Sequence, residues 1–145
     1  MAVAIPRQLG SIAETDGIRV EVTPTFLPEQ SDTQGSNIKT PLFVFGYHVR
    51  IINNGIEPVK LLSRHWEIVD ADGERKIVEG EGVIGMQPEI PVGEGHAYQS
   101  FCQLHTDWGT MEGYYVMQST SGRRFNAAIG RFYLVGHAAN EQMMG

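Results

Sequence analysis

The sequence predicts an all-β protein, an antiparallel β-sandwich of immunoglobulin or fibronectin type III-like kind with about seven to eight strands. Most segments alternate apolar and polar residues with a period of two, which is the spacing of side chains on a strand. Glycine, proline and asparagine interrupt these segments at short intervals, as turns between strands require. No segment carries a convincing helical repeat of apolar residues.

The N-terminal half contains two clear strand patterns. In the first, Ile18, Val20 and Val22 alternate with polar neighbours, as in a half-buried strand. The stretch from residue 23 to residue 41 is rich in Pro, Ser, Thr and Gly, which predicts a long mobile connection. The second pattern is LFVFGYHVRII, whose better core face holds Phe43, Phe45, Tyr47, Val49 and Ile51.

The C-terminal half predicts two register changes and one hairpin. The apolar parity of PVKLLSRHWEIVD fails between Leu61 and Arg64, so the inward face there stays open, and a bulge is one solution. The turn Ser119-Thr120-Ser121-Gly122 between two strand patterns predicts a hairpin. Apolar residues before and after Gly130 have opposite parity, so we expect a bulge or kink at this glycine.

Length and composition favour one globular domain over residues 1–145. We place its folded part at about 17–134, with a flexible N-terminal arm over 1–16 and a flexible tail over 135–145. The net charge of −6 argues against general nucleic-acid binding, which depends on clustered Lys and Arg. No apolar run is long enough for a membrane-spanning helix, so we expect no membrane insertion.

The single cysteine, Cys102, excludes an internal disulfide, and a lone thiol suits the reducing cytoplasm. The N-terminal residues lack the basic start and long apolar run of a secretory signal, so we expect a cytoplasmic protein. We interpret Cys102 as a small buried apolar residue rather than a nucleophile.

Gly80, Gly82 and Gly85 fit G-x-G-x-x-G, the spacing of dinucleotide-binding turns. Such a turn needs a following helix whose N-terminus meets the pyrophosphate, but two prolines in residues 86–91 disfavour a helix. Glu79 and Glu81 would also repel a phosphate. We therefore expect a loop that crosses between the sheets, with Val83 and Ile84 plugging the core. Contact of this loop with a ligand or partner remains an alternative.

Three further residues are candidates for a contact surface. Arg64 and His65 could bind an anion together, or they could be ordinary strand residues beside Trp66. Trp108 is predicted on a loop, where aromatic residues often mark binding sites, although it could instead cap the core. The five histidines have no metal-ligand spacing, and no nucleophile has a recognisable catalytic partner. We expect neither an enzyme nor a bound metal or cofactor.

Several segments together resemble one known family. NNGIEPVKLLSRHWEIVDADG, VEGEGVIGMQPEIPVGEGHAYQSFCQL and GTMEGYYVMQSTSGRRFNAAIGRFYL are similar to the bacterial ApaG family over roughly residues 17–134. The resemblance implies a fibronectin type III-like sandwich. It also implies a link to cobalt tolerance and magnesium efflux, and partner binding like that of related domains in eukaryotic F-box proteins. The insert SDTQGSN and the residues after Leu134 depart from the family pattern.

From the resemblance and the residues we expect a non-enzymatic protein-binding module associated with divalent-cation homeostasis. Its unidentified protein partner would dock on the loop from Gly80 to Gly85, with Arg64, His65 and Trp108 as contributors. The alternative is recognition of pyrophosphate, nucleotide phosphate or a metal–phosphate complex by backbone N–H groups of the same loop. Exposed strand edges also leave a homodimer open.

Overall fold

The computed structural model describes residues 8–35 and 40–136, in which nine antiparallel strands form two packed sheets. The strands are β1 (Ser11–Thr15), β2 (Ile18–Phe26), β3 (Phe43–Asn53), β4 (Val59–Asp70), β5 (Arg75–Glu81), β6 (Glu89–Ile90), β7 (Gly95–Leu104), β8 (Trp108–Ser119) and β9 (Arg124–Val135). The predicted antiparallel sandwich is confirmed, with the short strands β1 and β6 added to the expected number. The closer assignment to the fibronectin type III kind stays a prediction.

The two sheets close against each other on one side only. The first sheet has the order β1-β2-β3-β7 and the second β5-β4-β8-β9, with β6 also paired to β4. Two hydrogen bonds join the edge strands β1 and β9. The Ser11 hydroxyl donates to the Gly130 carbonyl at 2.7 Å, and the Ala128 N–H donates to the Thr15 hydroxyl at 3.1 Å. The opposite edges, β5 and β7, share no hydrogen bond in the described part of the chain, and a cleft lies between them.

The predicted flexible arm over 1–16 is wrong for Ser11–Thr15, which pairs with β2. The cause is the two-residue turn Asp16-Gly17, whose φ angles of 49° and 82° suit a type I′ hairpin. This Asp-Gly pair was a readable signal in the sequence. The predicted tail is also wrong at its start, because Val135 ends β9 and is buried. Residues 1–7 and 137–145 lie outside the described residues.

The predicted mobile connection over 23–41 is wrong for its first four residues and at Asp32. Strand β2 continues to Phe26, which pairs with Phe45. Pro24 is tolerated in this strand because the pairing with β1 stops at Val22, so its missing N–H removes no bond to β1. Farther along, Asp32 forms a bridge with Leu42. Residues 36–39 of the connection lie outside the described residues.

Both predicted register changes are confirmed. Leu61 pairs with Met117 and Ser63 with Val116, so β4 carries one extra residue between them. On β9 the extra residue lies between Ile129 and Phe132, beside Gly130 as expected. The hairpin at Ser119–Gly122 and the core face of β3 are confirmed as well.

Trp66 joins the two sheets in the centre of the core. Its ring is 2% exposed, and its centroid lies 5.4 Å from that of Tyr47 in the first sheet and 5.8 Å from that of Phe132. Both contacts are edge-on, a favourable arrangement for aromatic pairs. The inward direction of Trp66 sets the inward face of β4 beyond the bulge.

Asn53 organises the loops at one end of the sandwich. Its fully buried side chain donates to the carbonyls of Glu57 and Ile90, each at 2.9 Å, and accepts the Gly55 N–H at 2.9 Å. Its backbone N–H donates to the Glu94 carbonyl. One amide side chain therefore holds the β3–β4 connection against the segment around β6.

In residues 8–35 and 40–136, no helix has the length and apolarity needed to cross a membrane.

Replacing Asn53 with Ala should destabilise the fold by about 2–4 kcal/mol, because one buried and two partly buried backbone groups lose their partner. Urea unfolding measures the change. Asn54→Ala is the matched control, since Asn54 is exposed, and it should cost less than about 0.5 kcal/mol. Equal effects of the two substitutions would contradict the role given to Asn53.

Candidate functional site

The glycine-rich segment forms a tight two-residue turn. The Val83 N–H donates to the Met86 carbonyl at 2.8 Å, and the Met86 N–H donates back to the Val83 carbonyl at 3.0 Å. Ile84 and Gly85 between them have φ angles of 48° and 72°, as in a type I′ turn. The following strand, β6, confirms that no helix starts here.

Two expectations about this turn are wrong. It does not cross between the sheets, because β6 pairs with β4 in the same sheet as β5, and the crossing is made by the segment between β6 and β7. Val83 is buried as expected, but Ile84 is 61% exposed. As a corner residue of the turn, Ile84 points away from the core that its neighbour fills.

Gly80 and Gly82 each leave room for a specific neighbour. A Cβ on Gly80 would lie 2.7–2.9 Å from the guanidinium atoms of Arg64. On Gly82, with φ 59°, a Cβ would lie 2.0 Å from the carbonyl oxygen of Met86. Neither glycine is explained by phosphate binding.

Arg64 fastens the glycine turn to β4. Its Nη1 donates to the carbonyls of Glu81 at 3.0 Å and Gly82 at 2.8 Å, while the guanidinium lies over Gly80. Gly80 is also the cross-strand partner of Arg64, so the pair is fixed by strand register. The sequence placed Arg64 with the glycine loop as part of one binding surface. It did not show that Arg64 supports the turn, because the pairing of β4 with β5 is not visible in a single sequence.

The backbone donors of the turn are largely consumed within the protein. The N–H groups of Gly82, Val83 and Met86 donate to the carbonyls of Leu62, Met86 and Val83, respectively. A phosphate cradle needs several adjacent N–H groups directed at the ligand. The hydrogen bonding of this turn therefore does not favour the alternative of phosphate recognition by the loop.

Exposed apolar side chains gather at the end of the sandwich that carries this turn. They lie in three connections that Asn53, β4 and β6 hold together: residues 54–58, 82–88 and 91–94. We call them the apolar end. Its members and their exposed fractions are Ile56 95%, Ile84 61%, Met86 55% and Val92 47%.

His65 lies on the other face of the sheet from Arg64, as consecutive residues of a strand must. Its ring stacks on Tyr114 at 4.6 Å, with 12° between the planes. Its Nδ1 lies 3.2 Å from a carboxylate oxygen of Glu79, although without the alignment of a hydrogen bond. The fold therefore separates His65 from Arg64, and an anion held by both is not supported.

Trp108 lies neither on a loop, as predicted, nor near the glycine turn. It begins β8 rather than occupying a loop, and the next residue, Gly109, pairs with Asp70. Asp70 is six residues from Arg64 on β4, a separation of about 20 Å at the rise of a strand. Trp108 and the glycine turn therefore lie toward opposite ends of the sandwich.

Cys102 is a free, buried thiol on the inward side of β7. Burial raises the pKa of its thiol to about 11, against a smaller lowering by the charge of Lys76. The thiol is therefore protonated near neutral pH. Among the described residues, no three His, Cys, Asp or Glu side chains come close enough together to hold a metal ion.

Comparison with known proteins identifies the family. The sequence matches the family described as the ApaG domain over residues 33–119. The chain belongs to the ApaG family. The matched range runs from the residues before Leu42 to the end of β8, so it contains the glycine turn, Arg64 and the cleft-facing side of β7. The turn is thus part of the ApaG domain itself.

Relatives and a solved structure agree with this assignment. Protein ApaG of Anaeromyxobacter dehalogenans (strain 2CP-C) is 47% identical over 125 residues, which cover 86% of this chain and 94% of the relative. Protein ApaG of Methylobacterium sp. (strain 4-46) is 48% identical over 122 residues, or 84% and 90% of the two chains. A crystal structure of a Bordetella pertussis protein named ApaA is 39% identical, with a TM-score of 0.78, over 86% of this chain and 97% of that one.

Ile84→Asn should stabilise the fold by about 0.5–1 kcal/mol, because Asn tolerates positive φ and Asn-Gly is a preferred type I′ pair. Gly82→Ala should destabilise it by about 2 kcal/mol or more, since the added Cβ meets the Met86 carbonyl. Thermal and urea unfolding compare the two. A loss of stability in Ile84→Asn as large as that in Gly82→Ala would contradict the turn geometry.

Alkylation of Cys102 by iodoacetamide at pH 8 should be roughly 100-fold slower in the folded protein than in urea, because the raised pKa leaves little thiolate. The folded rate should still be rising with pH above pH 9, whereas the unfolded rate should level off near its ordinary pKa. Mass spectrometry of quenched samples measures both rates. A fast reaction at pH 7 would show a reactive thiol instead.

Proposed function

We propose that this chain is a non-enzymatic, cytoplasmic protein-binding module that serves divalent-cation homeostasis. The observation that carries the docking part is Ile84, a β-branched residue held exposed at positive φ on the tip of the glycine turn. Such residues are rare at positive φ, and holding one there costs on the order of 1–3 kcal/mol. Among residues 8–35 and 40–136 no burial of this side chain offsets the cost, which supports a partner that receives it.

The rest of the apolar end supports the same use. Met86 closes the turn, and Ile56 and Val92 lie on the two connections that the buried Asn53 side chain holds, so the side chains are presented on a rigid base. Contiguous exposed apolar groups with a polar rim are typical of protein interfaces. A partner pocket that accepts Ile84 and Met86 would bury the two apolar side chains of the turn itself.

The rim indicates the charge of the partner. Glu81, Glu89 and Glu94 are exposed beside the apolar end, and none of them lies within ion-pair distance of a cation in the described residues. Complementary charge across an interface guides association and selects partners. We propose a partner whose apolar pocket is bordered by Lys or Arg.

The cation-homeostasis part rests on membership of the ApaG family and on the link to cobalt tolerance and magnesium efflux that the resemblance implies. The non-enzymatic part rests on the sequence, in which no nucleophile has a recognisable catalytic partner. The lone thiol, Cys102, also fits the reducing cytoplasm that we propose as the location. Phosphate recognition by the glycine turn is the less supported function, because the turn uses its own N–H donors.

Ile84→Asn should lose the partner while keeping the fold, because it removes the apolar tip and suits the turn. Ile12→Asn is the matched control, since Ile12 is 54% exposed on β1, away from the apolar end. In affinity capture from bacterial lysate, one protein should bind the wild type and Ile12→Asn but be depleted about tenfold or more with Ile84→Asn. Cobalt tolerance of a deletion strain should be restored by the same two forms and not by Ile84→Asn.

Capture that is equal for all three forms would overturn docking through the turn. Normal cobalt tolerance with Ile84→Asn, despite lost capture, would instead separate the docking function from cation homeostasis. Unfolding curves of each variant accompany both measurements, so that a folding defect is not mistaken for lost binding.

A further inference from the structure

The open side of the sandwich contains a cleft that the docking proposal does not use. It lies between the edge strands β5 and β7 and has a volume of about 570 Å³, a size typical of small-molecule sites. Its floor is formed by Trp66, Tyr47 and Met111, which are buried in the core. Val78 on one wall and Cys102 on the other complete a mostly apolar middle.

Two cations face this cleft. Arg64 on β4 pairs with Gly80, and Lys76 on β5 pairs with Ile68. By the alternation of side chains along a strand, both lie on the same inward face as Trp66. Neither forms an ion pair with a carboxylate in the described part of the chain. Arg75, one residue from Lys76, has the opposite parity and does pair with Glu67.

This pattern is unusual for a chain with a net charge of −6. Acidic residues outnumber basic ones, so the lack of a carboxylate partner for two cations that face the same cleft does not follow from composition. A cation beside a partly desolvated apolar wall attracts an anion more strongly than one on an open surface. The Arg64 guanidinium uses Nη1 for the glycine turn, and Arg64 also lines the cleft.

The two ends of the cleft differ in charge, which sets a direction for a ligand. At the end away from Arg64, the carboxylate of Asp70 accepts the N–H groups of Asp72 at 2.9 Å and Glu74 at 3.0 Å. Glu74 also lines this end. An anionic group would avoid this end and lie toward Arg64, where Ser100 and Tyr47 offer neutral hydroxyl groups.

We infer that the cleft between β5 and β7 binds a small organic anion with a flat apolar body. Its phosphate or carboxylate group contacts Arg64, and its apolar body lies over Trp66 between Val78 and Cys102. The flexible Lys76 side chain adds a second positive charge from the far side of Val78. The shared chemistry is one anionic group attached to an aromatic or similarly flat body. The site is separate from the tip of the glycine turn and does not depend on the docking proposal.

The test is a titration of the whole 15N-labelled chain with 2-naphthyl phosphate and with 2-naphthoate, followed by NMR. Both should shift the amides of Val78, Ser100 and Cys102, and the better binder shows whether phosphate or carboxylate is preferred. 2-Naphthol supplies the body without the charge, and inorganic phosphate supplies the charge without the body. Each of these controls should bind at least about tenfold more weakly.

Four variants test the site. Lys76→Met keeps nearly the length of this exposed side chain, removes its charge and should weaken 2-naphthyl phosphate about threefold or more. Lys60→Met is the matched control on the outward side of β4 and should bind like the wild type. Arg64→Met should also weaken binding, but it loosens the glycine turn, so Lys76→Met is the decisive variant. Ile84→Asn should leave the affinity unchanged, which distinguishes this site from the docking surface.

The inference is overturned if neither naphthyl anion shifts amides that line the cleft, or if 2-naphthol binds as well as they do. It is also overturned if Lys76→Met and Lys60→Met bind 2-naphthyl phosphate equally well. Shifts confined to the backbone edges of β5 or β7, without the cleft floor, would indicate strand addition instead and would count against a small-molecule site.

Discussion

The buried ring of Trp66 is the contact on which the arrangement of this sandwich depends. It bridges the sheets by contacting Tyr47 of the first sheet while it packs on Phe132 of its own sheet, and it fixes which face of β4 points inward. Because side chains alternate along a strand, the same constraint directs Arg64 toward the cleft and His65 toward the outer face. The one-residue bulge before Ser63 makes this compatible with an inward Leu61. The direction of the Arg64 side chain toward the cleft thus follows from the packing of the Trp66 ring two residues away.

The second organising feature is that the sandwich closes on one side only. Strands β1 and β9 are joined by side-chain hydrogen bonds, and the Trp66 cluster fills the centre. Strands β5 and β7 instead leave a gap that charged side chains line at both of its ends. Arg64 lies where the cleft meets the glycine turn and supports the turn through two carbonyls. The two proposed surfaces therefore share a structural support, although their ligands would differ in chemistry.

The glycine motif shows how a spacing can be shared by unrelated structures. In dinucleotide-binding folds, the three glycines allow a tight turn, a close approach of the backbone to the pyrophosphate, and close packing of the helix on the strand. In this chain Gly80 makes room for a guanidinium, Gly82 for a carbonyl oxygen, and Gly85 supplies positive φ in the turn. The common requirement is a residue without a Cβ, which lets another group come close to the backbone. The spacing of the glycines does not show whether that group is a ligand phosphate or part of the protein. The following prolines distinguished the two cases within the sequence itself.

The sequence by itself determined the features that depend on neighbouring residues. The strand alternation, the hairpin at Ser119–Gly122, the bulges beside Leu61 and Gly130, and the lack of a helix after Gly85 were all predictable from local parity and turn chemistry. The Asp-Gly hairpin that forms β1 was equally readable, although the prediction placed a flexible arm there.

Tertiary structure alone decided which of these residues meet. The Arg64 guanidinium lies over Gly80, and Trp108 lies at the end of the sandwich opposite the glycine turn. The Ile84 side chain is exposed, and β5 and β7 are not paired with each other. The physical reason is that alternation fixes a side chain's face but not its partner strand. Partner strands are chosen by the packing of the whole core, in which residues distant in sequence compete for the same neighbours.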